Sequence, residues 1–277
     1  MIPAFTVLED DELGEAPGHA LLAAYGGPLR IRGGGRRVVA NFVATLDGVI
    51  SFGPRAGAGA GAVSLGSAAD RFVMALLRSA SDALLIGAAT LRRDPHHQWT
   101  AATVFPTLAD QLADLRREIT GEVTPAPLVI VTGRGELPAE HPALSRPQTE
   151  VLVVTTSSGR PRLPVLGAGA RAVVAGAEPP LDPRRILEAV AGELGAATVL
   201  TEAGPSLFSQ LLATGAVDEL FLTLAPQLAG LGADGRLGLL GDAWFAPDAT
   251  PRLRLRSLRR ADQHLLLRYA VETSDPA

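Results

Sequence analysis

The chain has 277 residues, of which 47% are hydrophobic and 19% charged, with a formal net charge of −4. That balance is globular rather than disordered, and it gives no general electrostatic pull towards nucleic acid or an anionic membrane. With no cysteine in the sequence, disulfides, thiolate nucleophiles and cysteine-based zinc sites are excluded together. The start, Met1-Ile-Pro-Ala-Phe-Thr-Val-Leu-Glu-Asp10, has no basic region, and no apolar run reaches the ~18 residues of a membrane span, so a soluble cytoplasmic protein is expected.

Residues 1–37 read as an extension packing on the core, and residues 38–277 as one domain. The extension carries an acidic cluster (Glu9, Asp10, Asp11, Glu12, Glu15), a possible helix at His19 to Tyr25 and a joint at Gly33-Gly-Gly-Arg-Arg37. Val38 to Ala44 is an apolar run broken only by Asn41, which suits a strand covered on both faces. Thr45-Leu-Asp-Gly48 follows, where Asp47 either caps a chain reversal or faces a ligand cleft beyond the strand end. Gly53 to Gly66 is too glycine-rich for regular structure and is expected to be a flap. Ser67-Ala-Ala-Asp70 resembles a capping box and opens a helix through Phe72, Val73, Leu76 and Leu77 to Arg78, which the helix dipole would favour as a surface cap.

Asp82 to Gly87 is the next strand, and Gly87 starts a strand-to-helix turn that carries Thr90 and must end before Pro95. His96 and His97 lie beyond it without a carboxylate constellation, so no metal site is expected. A helix at Leu108 to Ile119 precedes a strand at Pro127 to Thr132, with Gly133 and Arg134 at its end; Arg134 suits a phosphate or a solvated turn. Strands at Val151 to Thr155 and Ala172 to Val174 lead to a helix capped by Asp182-Pro183 and stopped at Gly195.

Val199-Leu-Thr-Glu-Ala-Gly-Pro-Ser-Leu-Phe208 then combines a buried strand, an acid at its end, a glycine turn and a helix start. Gly204 admits a ligand close to the backbone, Pro205 fits the first helical position, and the free N–H groups of that turn suit a pyrophosphate. After Gly215 the runs Glu219 to Leu224, Arg252 to Arg256 and His264 to Tyr269 read as antiparallel strands, giving a mixed, mostly parallel sheet. No Gly-x-Gly-x-x-Gly follows the first strand, which argues against the common dinucleotide-binding fold.

Ala44-Thr-Leu-Asp-Gly48, Leu76-Leu-Arg78, Gly87-x-x-Thr90 with Asp94-Pro95, Glu202-Ala-Gly-Pro-Ser206, and Val217-Asp-Glu-Leu220 with Ala225-Pro-Gln-Leu-Ala-Gly230 stand in one order and spacing. Together they resemble the reductase domain of the bifunctional deaminase-reductases of riboflavin biosynthesis, over roughly residues 38 to 272. The stand-alone form is most similar to the pyrimidine reductase-like branch. The resemblance implies a dihydrofolate-reductase-like α/β fold, NADPH as hydride donor, a homodimer, and reduction of the ribose of 5-amino-6-(5-phosphoribosylamino)uracil. The deaminase motif needs cysteine and is absent.

The same resemblance implies that Ala44 and Thr45 line the nicotinamide, that Gly87, Thr90 and Asp94 contact the dinucleotide, and that Thr132 and Gly133 face its adenosine part. Gly204, Pro205, Ser206, Leu207 and Phe208 would hold the pyrophosphate. Asp47, Arg78 and Glu202 would face the substrate, Glu202 accepting from pyrimidine N–H groups and Arg78 lying near a polyol or phosphate. Asp47 or a bound water would deliver the proton, and Arg134 would take the cofactor's extra phosphate. Ala62 and Ser64 stand where the family carries serine and tryptophan, and Ala101 stands near the position of its substrate-binding arginine. The cofactor half is thus preserved and the substrate half altered, which keeps open a dihydrofolate-type or other small-molecule reductase and a non-catalytic NADPH-binding protein.

Overall fold

The computed structural model describes residues 1–12, 18–53, 60–232 and 235–272. Glu15 and the glycine-rich residues 54–59 lie outside the described residues. The strands are β1 (Thr6–Asp10), β2 (Arg37–Thr45), β3 (Val49–Ser51), β4 (Ala83–Gly87), β5 (Leu128–Thr132), β6 (Val151–Thr156), β7 (Ala170–Gly176), β8 (Thr198–Thr201), β9 (Glu219–Ala225), β10 (Leu237–Gly238), β11 (Arg252–Ala261) and β12 (His264–Glu272). The helices are α1 (Ala20–Tyr25), α2 (Ala60–Val63), α3 (Ala68–Ala80), α4 (Ala88–Arg93), α5 (Ala101–Val104), α6 (Ala109–Thr120), α7 (Pro142–Ser145), α8 (Pro183–Leu194) and α9 (Pro205–Ala213). Among them, α2 shows that part of the glycine-rich run does adopt regular structure.

Ten strands form one sheet in the order β1-β11-β12-β9-β2-β8-β4-β5-β6-β7. Every pairing from β9 to β7 is parallel, and the three from β1 to β9 are antiparallel. β9 departs from the expectation of an antiparallel C-terminal set. It runs parallel to β2 along one edge and antiparallel to β12 along the other. Helix α9 returns the chain across the sheet before β9, as a parallel pairing requires.

The central strands are apolar on both faces because each face is covered. Leu84, Ile86, Leu128, Ile130, Val151 and Val153 join the core under α3 and α6. Their alternate neighbours Ala83, Leu85, Val129, Val131, Leu152 and Val154 join the core under α8 and α9. The period of two along each strand therefore builds a three-layer stack. Ser67 caps α3, its hydroxyl accepting from the Asp70 N–H at 3.2 Å, and Asp182 caps α8.

β1 was not foreseen from the sequence. Acidic residues at its end and just beyond it tie it to basic ones at the other end of the chain. Asp10 pairs with Arg259 at 2.5 Å, with side chains 3% and 1% exposed, and the Arg259 guanidinium also lies over Tyr25 at 4.0 Å. Glu12 accepts from Arg256 and from Arg268, and Arg268 also forks onto Glu219 at 2.7 and 3.0 Å. Burial opposes these charges, yet the arginines hold the Glu12 carboxyl below its ordinary range. Arg259→Ala leaves Asp10 buried and unpaired, and is expected to destabilise the fold by about 3–5 kcal/mol. Urea unfolding measures this as a lower midpoint with an unchanged slope.

The site arises where β4 and β8 lie side by side and parallel. The helix after β4 packs towards one face of the sheet through Leu91, and the helix after β8 towards the other through Phe208 and Leu211. Chains diverging from adjacent strands leave a crevice beyond the carboxyl ends, the usual ligand position in open α/β sheets.

Candidate active site

Two glycine turns open side by side into this crevice. Gly87 is the N-cap of α4 and Gly204 the N-cap of α9, neither with a side chain to fill the gap. A Cβ built on Gly204 would stand 3.7 Å from the Thr90 hydroxyl, and one on Gly87 would stand 4.0 Å from Leu207. The two corners are thus in van der Waals range of each other. Ser206, in the first turn of α9, has an N–H with no intrahelical acceptor.

Two cavities flank these corners. The first, about 400 Å³, is walled by Asn41, Phe42 and Val43 from β2, by Asp70, Met74 and Arg78 from α3, by His97 and Trp99, and by Glu202. The second, about 520 Å³, is walled by Gly87, Gly133, Arg134, Pro179, Pro180, Leu181, Ser206 and Leu207. Thr90, Arg93, Gly204 and Pro205 belong to both walls. These volumes are in the range of small-molecule sites.

Arg78 and Glu202 meet in the first cavity. The guanidinium forks onto the carboxylate, Nε to Oε1 at 2.9 Å and Nη2 to Oε2 at 2.6 Å, with side chains 3% and 11% exposed. Nη1 donates to the Thr100 carbonyl at 3.1 Å and lies 3.2 Å from His97 Nε2. Arginine has only donors, so His97 Nε2 must be the acceptor and the ring neutral. Burial, and then the Arg78 charge, push the His97 pKa down to about 4. Arg78 is consequently neither a surface cap nor a free cation for a phosphate. It positions Glu202, whose remaining lone pairs are left for a ligand.

Asp70 is the second acid of this cavity, 5% exposed on α3. Burial pushes its pKa up to about 6; Thr223, His264 and Arg71 oppose the rise, and Glu202 adds to it. The Ser67 capping box engages Asp70 only through its backbone N–H, which leaves the carboxyl to the cavity wall. A signal was available: residues 70, 74 and 78 are four apart and share one helical face.

Several expected site residues lie elsewhere. Asp47 does not line the cavity: its carboxylate accepts from the Thr45 hydroxyl and from the backbone N–H groups of Ala229 and Gly230. Those bonds pull its pKa down to about 2, which suits a turn clasp and not a proton donor. Ala44 and Thr45 are buried at the end of β2, with the Thr45 hydroxyl engaged by Asp47 and the Val49 N–H. Residues 41 to 43 form the wall in their place.

Thr132 is buried, its hydroxyl accepting from the Gly135 N–H, whereas Gly133 and Arg134 do reach the second cavity. Phe208 points into the core against Phe42, ring centroids 4.6 Å apart, and its N–H donates to the Gly204 carbonyl. Both belong to structural contacts because the apolar side of α9 and the inner end of β5 face the sheet. Gly87, Thr90, Asp94, Gly204, Pro205, Ser206 and Leu207 do line the crevice. Among the described residues no cluster of metal-ligating side chains is present, and no helix is long and apolar enough to cross a membrane.

The sheet order, the three layers and the crevice define a dihydrofolate-reductase-like α/β protein. The model of the RibD C-terminal domain matches residues 36–267, and the chain belongs to that family. The family is one of riboflavin-pathway reductases, which places the chain among the oxidoreductases that use a nicotinamide cofactor.

Solved structures agree in fold. A pyrimidine reductase-like protein from Corynebacterium diphtheriae superposes with a TM-score of 0.66 at 20% identity, over 86% of this chain and 93% of that one. The deaminase/5-amino-6-(5-phosphoribosylamino)uracil reductase from Thermotoga maritima gives 0.61 at 19% identity over 86% of this chain, which spans only 57% of that protein. The riboflavin biosynthesis reductase Rib7 of Saccharomyces cerevisiae gives 0.59 at 15% identity, over 91% and 96% of the two chains. No curated protein matches the sequence significantly.

Proposed function

We propose that the protein is an NADPH-dependent reductase of a pyrimidine-type substrate, most closely 5-amino-6-(5-phosphoribosylamino)uracil. The observation that carries this reading is that two cavities share the walls Thr90, Arg93, Gly204 and Pro205 beside the paired corners at Gly87 and Gly204. The residues fit a dinucleotide: glycines leave room at both corners, Ser206 offers a free N–H, and Thr90 a hydroxyl. Gly133 and Arg134, on the wall of the second cavity, would take an adenosine phosphate, and Asp94, on the wall of the first, would border the nicotinamide.

When bound, a reduced nicotinamide supplies a hydride. The chain's own groups do the rest. Glu202, steered by Arg78, accepts hydrogen bonds from ring N–H groups and fixes the substrate plane. Asp70, protonated in part near neutral pH, gives a proton to the substrate atom that gains electron density. Phe42, Val43 and Trp99 exclude water from this end of the site. A homodimer is proposed as well, supported by the exposed apolar side chains of Leu228, Leu231 and Trp244.

A second reading has one observation in its favour. The cations on the first cavity's wall are Arg78, saturated by Glu202, Thr100 and His97; Arg71, which donates to the Gly66 carbonyl; and Arg93 at the rim. The wall therefore offers three acids, Asp70, Asp94 and Glu202, against Arg93 as its one unengaged arginine among the described residues, which suits an N–H-rich ring without a phosphate, such as dihydrofolate. Loss of reduced-nicotinamide absorbance is measured with the phosphoribosylamino-uracil and with dihydrofolate in parallel. Turnover of the first supports the main reading, and turnover of dihydrofolate alone the second. NADPH uptake without turnover on either leaves a binding protein, and no uptake removes the reductase assignment.

A further inference from the structure

We infer that Arg93 is the cation that clamps the pyrophosphate bridge of the dinucleotide, from the side of the crevice opposite the first turn of α9. The inference rests on the dinucleotide reading proposed above and adds a binding residue that the sequence motifs do not mark. Four residues, Thr90, Arg93, Gly204 and Pro205, belong to the walls of both cavities. A single molecule filling both cavities has to pass between them. The segment of a dinucleotide that joins its two nucleosides is the pyrophosphate, which carries its charge midway along the molecule. Of the four residues at the junction, Arg93 is the charged one.

The placement of Arg93 follows from α4. It lies three residues after Thr90, which puts the hydroxyl and the guanidinium on one helical face towards the junction. Its side chain is exposed, and among the described residues no carboxylate lies within ion-pair distance of it. The other arginines near the crevice differ. Arg92 donates to the Glu136 carbonyl, Arg78 is saturated, and Arg134 lines the second cavity alone. A guanidinium matches two phosphate oxygens at once, while Ser206 N–H and Thr90 approach from the neighbouring corners. The competing explanation is a surface arginine favoured by the carboxyl end of a short helix, which makes no claim on a ligand.

The experiment titrates the 277-residue protein with NADPH and with NADH, following tryptophan fluorescence, to which Trp99 in the first cavity wall and the exposed Trp244 both contribute, for the wild type, Arg93→Ala, Arg93→Lys and Arg134→Ala. Arg93→Ala is expected to weaken both nucleotides by the same factor, about tenfold, and to flatten the salt dependence of binding. Arg93→Lys is expected to recover part of the loss, and thermal melting of the free proteins should be unchanged because the side chain is exposed. Arg134→Ala should weaken NADPH and spare NADH. Equal binding by wild type and Arg93→Ala overturns the clamp while leaving the dinucleotide site standing. A loss confined to NADPH overturns it too, by moving Arg93 to the extra phosphate. If the wild type takes up neither nucleotide, the reading beneath the clamp falls and the clamp with it.

Discussion

Asp70→Asn is expected to lower kcat/KM by about a hundredfold while raising the stability of the folded protein above pH 6. The two effects have one cause. Burial in the first cavity lifts the Asp70 pKa from 3.8 to about 6, so the folded protein holds its proton more tightly than the unfolded chain does. Stability from that proton is fully present below the unfolded value near pH 4. It is lost as pH rises through 6, where the ionised form has to be kept buried. At pH 8 the mutant is relieved of a cost of up to roughly 3 kcal/mol. Activity moves the other way. The wild type should fall about tenfold per pH unit above 6 as the acid form is depleted, whereas the amide, with no proton to give, should show a low, flat profile. Melting curves at pH 5 and 8, with pH-rate profiles for both proteins, check this. An unchanged profile in Asp70→Asn would remove Asp70 as the proton source.

Glu202→Gln is expected to reduce kcat/KM by a further large factor, about a hundredfold, with NADPH affinity retained. Two losses combine. The amide puts a donor in place of one of the two acceptor oxygens that ring N–H groups require, and Arg78 is left a buried cation with neutral partners only, Thr100 and His97 among them. Breaking such a pair should also destabilise the protein, by about 2–3 kcal/mol given that Glu202 is partly open to the cavity. The double change Arg78→Met with Glu202→Gln separates the effects. It should restore much of the stability, because no unpaired charge remains, and recover no turnover. Recovery of turnover would show that Glu202 serves the fold and not the substrate. Because Arg78 positions Glu202, Arg78→Lys should hurt kcat more than NADPH binding.

The parts of the fold that were legible in the sequence are those fixed by local pattern. Strands β2, β4, β5, β6 and β8 are runs that bury both faces, and the caps Ser67, Asp182 and Gly204 sit one residue before their helices. β1 was not legible, because Thr6–Asp10 shows no polar–apolar alternation and becomes a strand only through pairing with β11 and through an arginine some 250 residues away. The direction of β9 depends on which edge it joins, which no local pattern states.

In the site, the pairing of the two glycine corners was legible in the motifs, whereas the ion pair of Arg78 with Glu202 was not: the motifs give each a place facing the substrate and do not state that they saturate each other. For Asp47 the sequence leaves two readings open, because an acid after a strand looks the same whether it clasps a neighbouring loop, as here, or faces a ligand. Phe208 was misplaced because the residues of a helix start alternate between crevice and core, and only packing against Phe42 decides which. Asp70 was overlooked because one residue fills two roles, its N–H bonded to the Ser67 cap and its side chain facing the cavity. His97 and Trp99 sit on a loop whose path is set by the stacking of Trp99 on His141, a contact between segments far apart in sequence.

The most direct measurement is calorimetric titration with the two halves of NADPH, reduced nicotinamide mononucleotide and 2′-phosphoadenosine 5′-phosphate, separately, together, and in competition with the whole cofactor. Both halves binding at once, each in its own cavity, and one equivalent of NADPH displacing both is the expected result. Mutual exclusion of the two halves, or no heat with NADPH, would contradict a single dinucleotide gripped between the corners at Gly87 and Gly204.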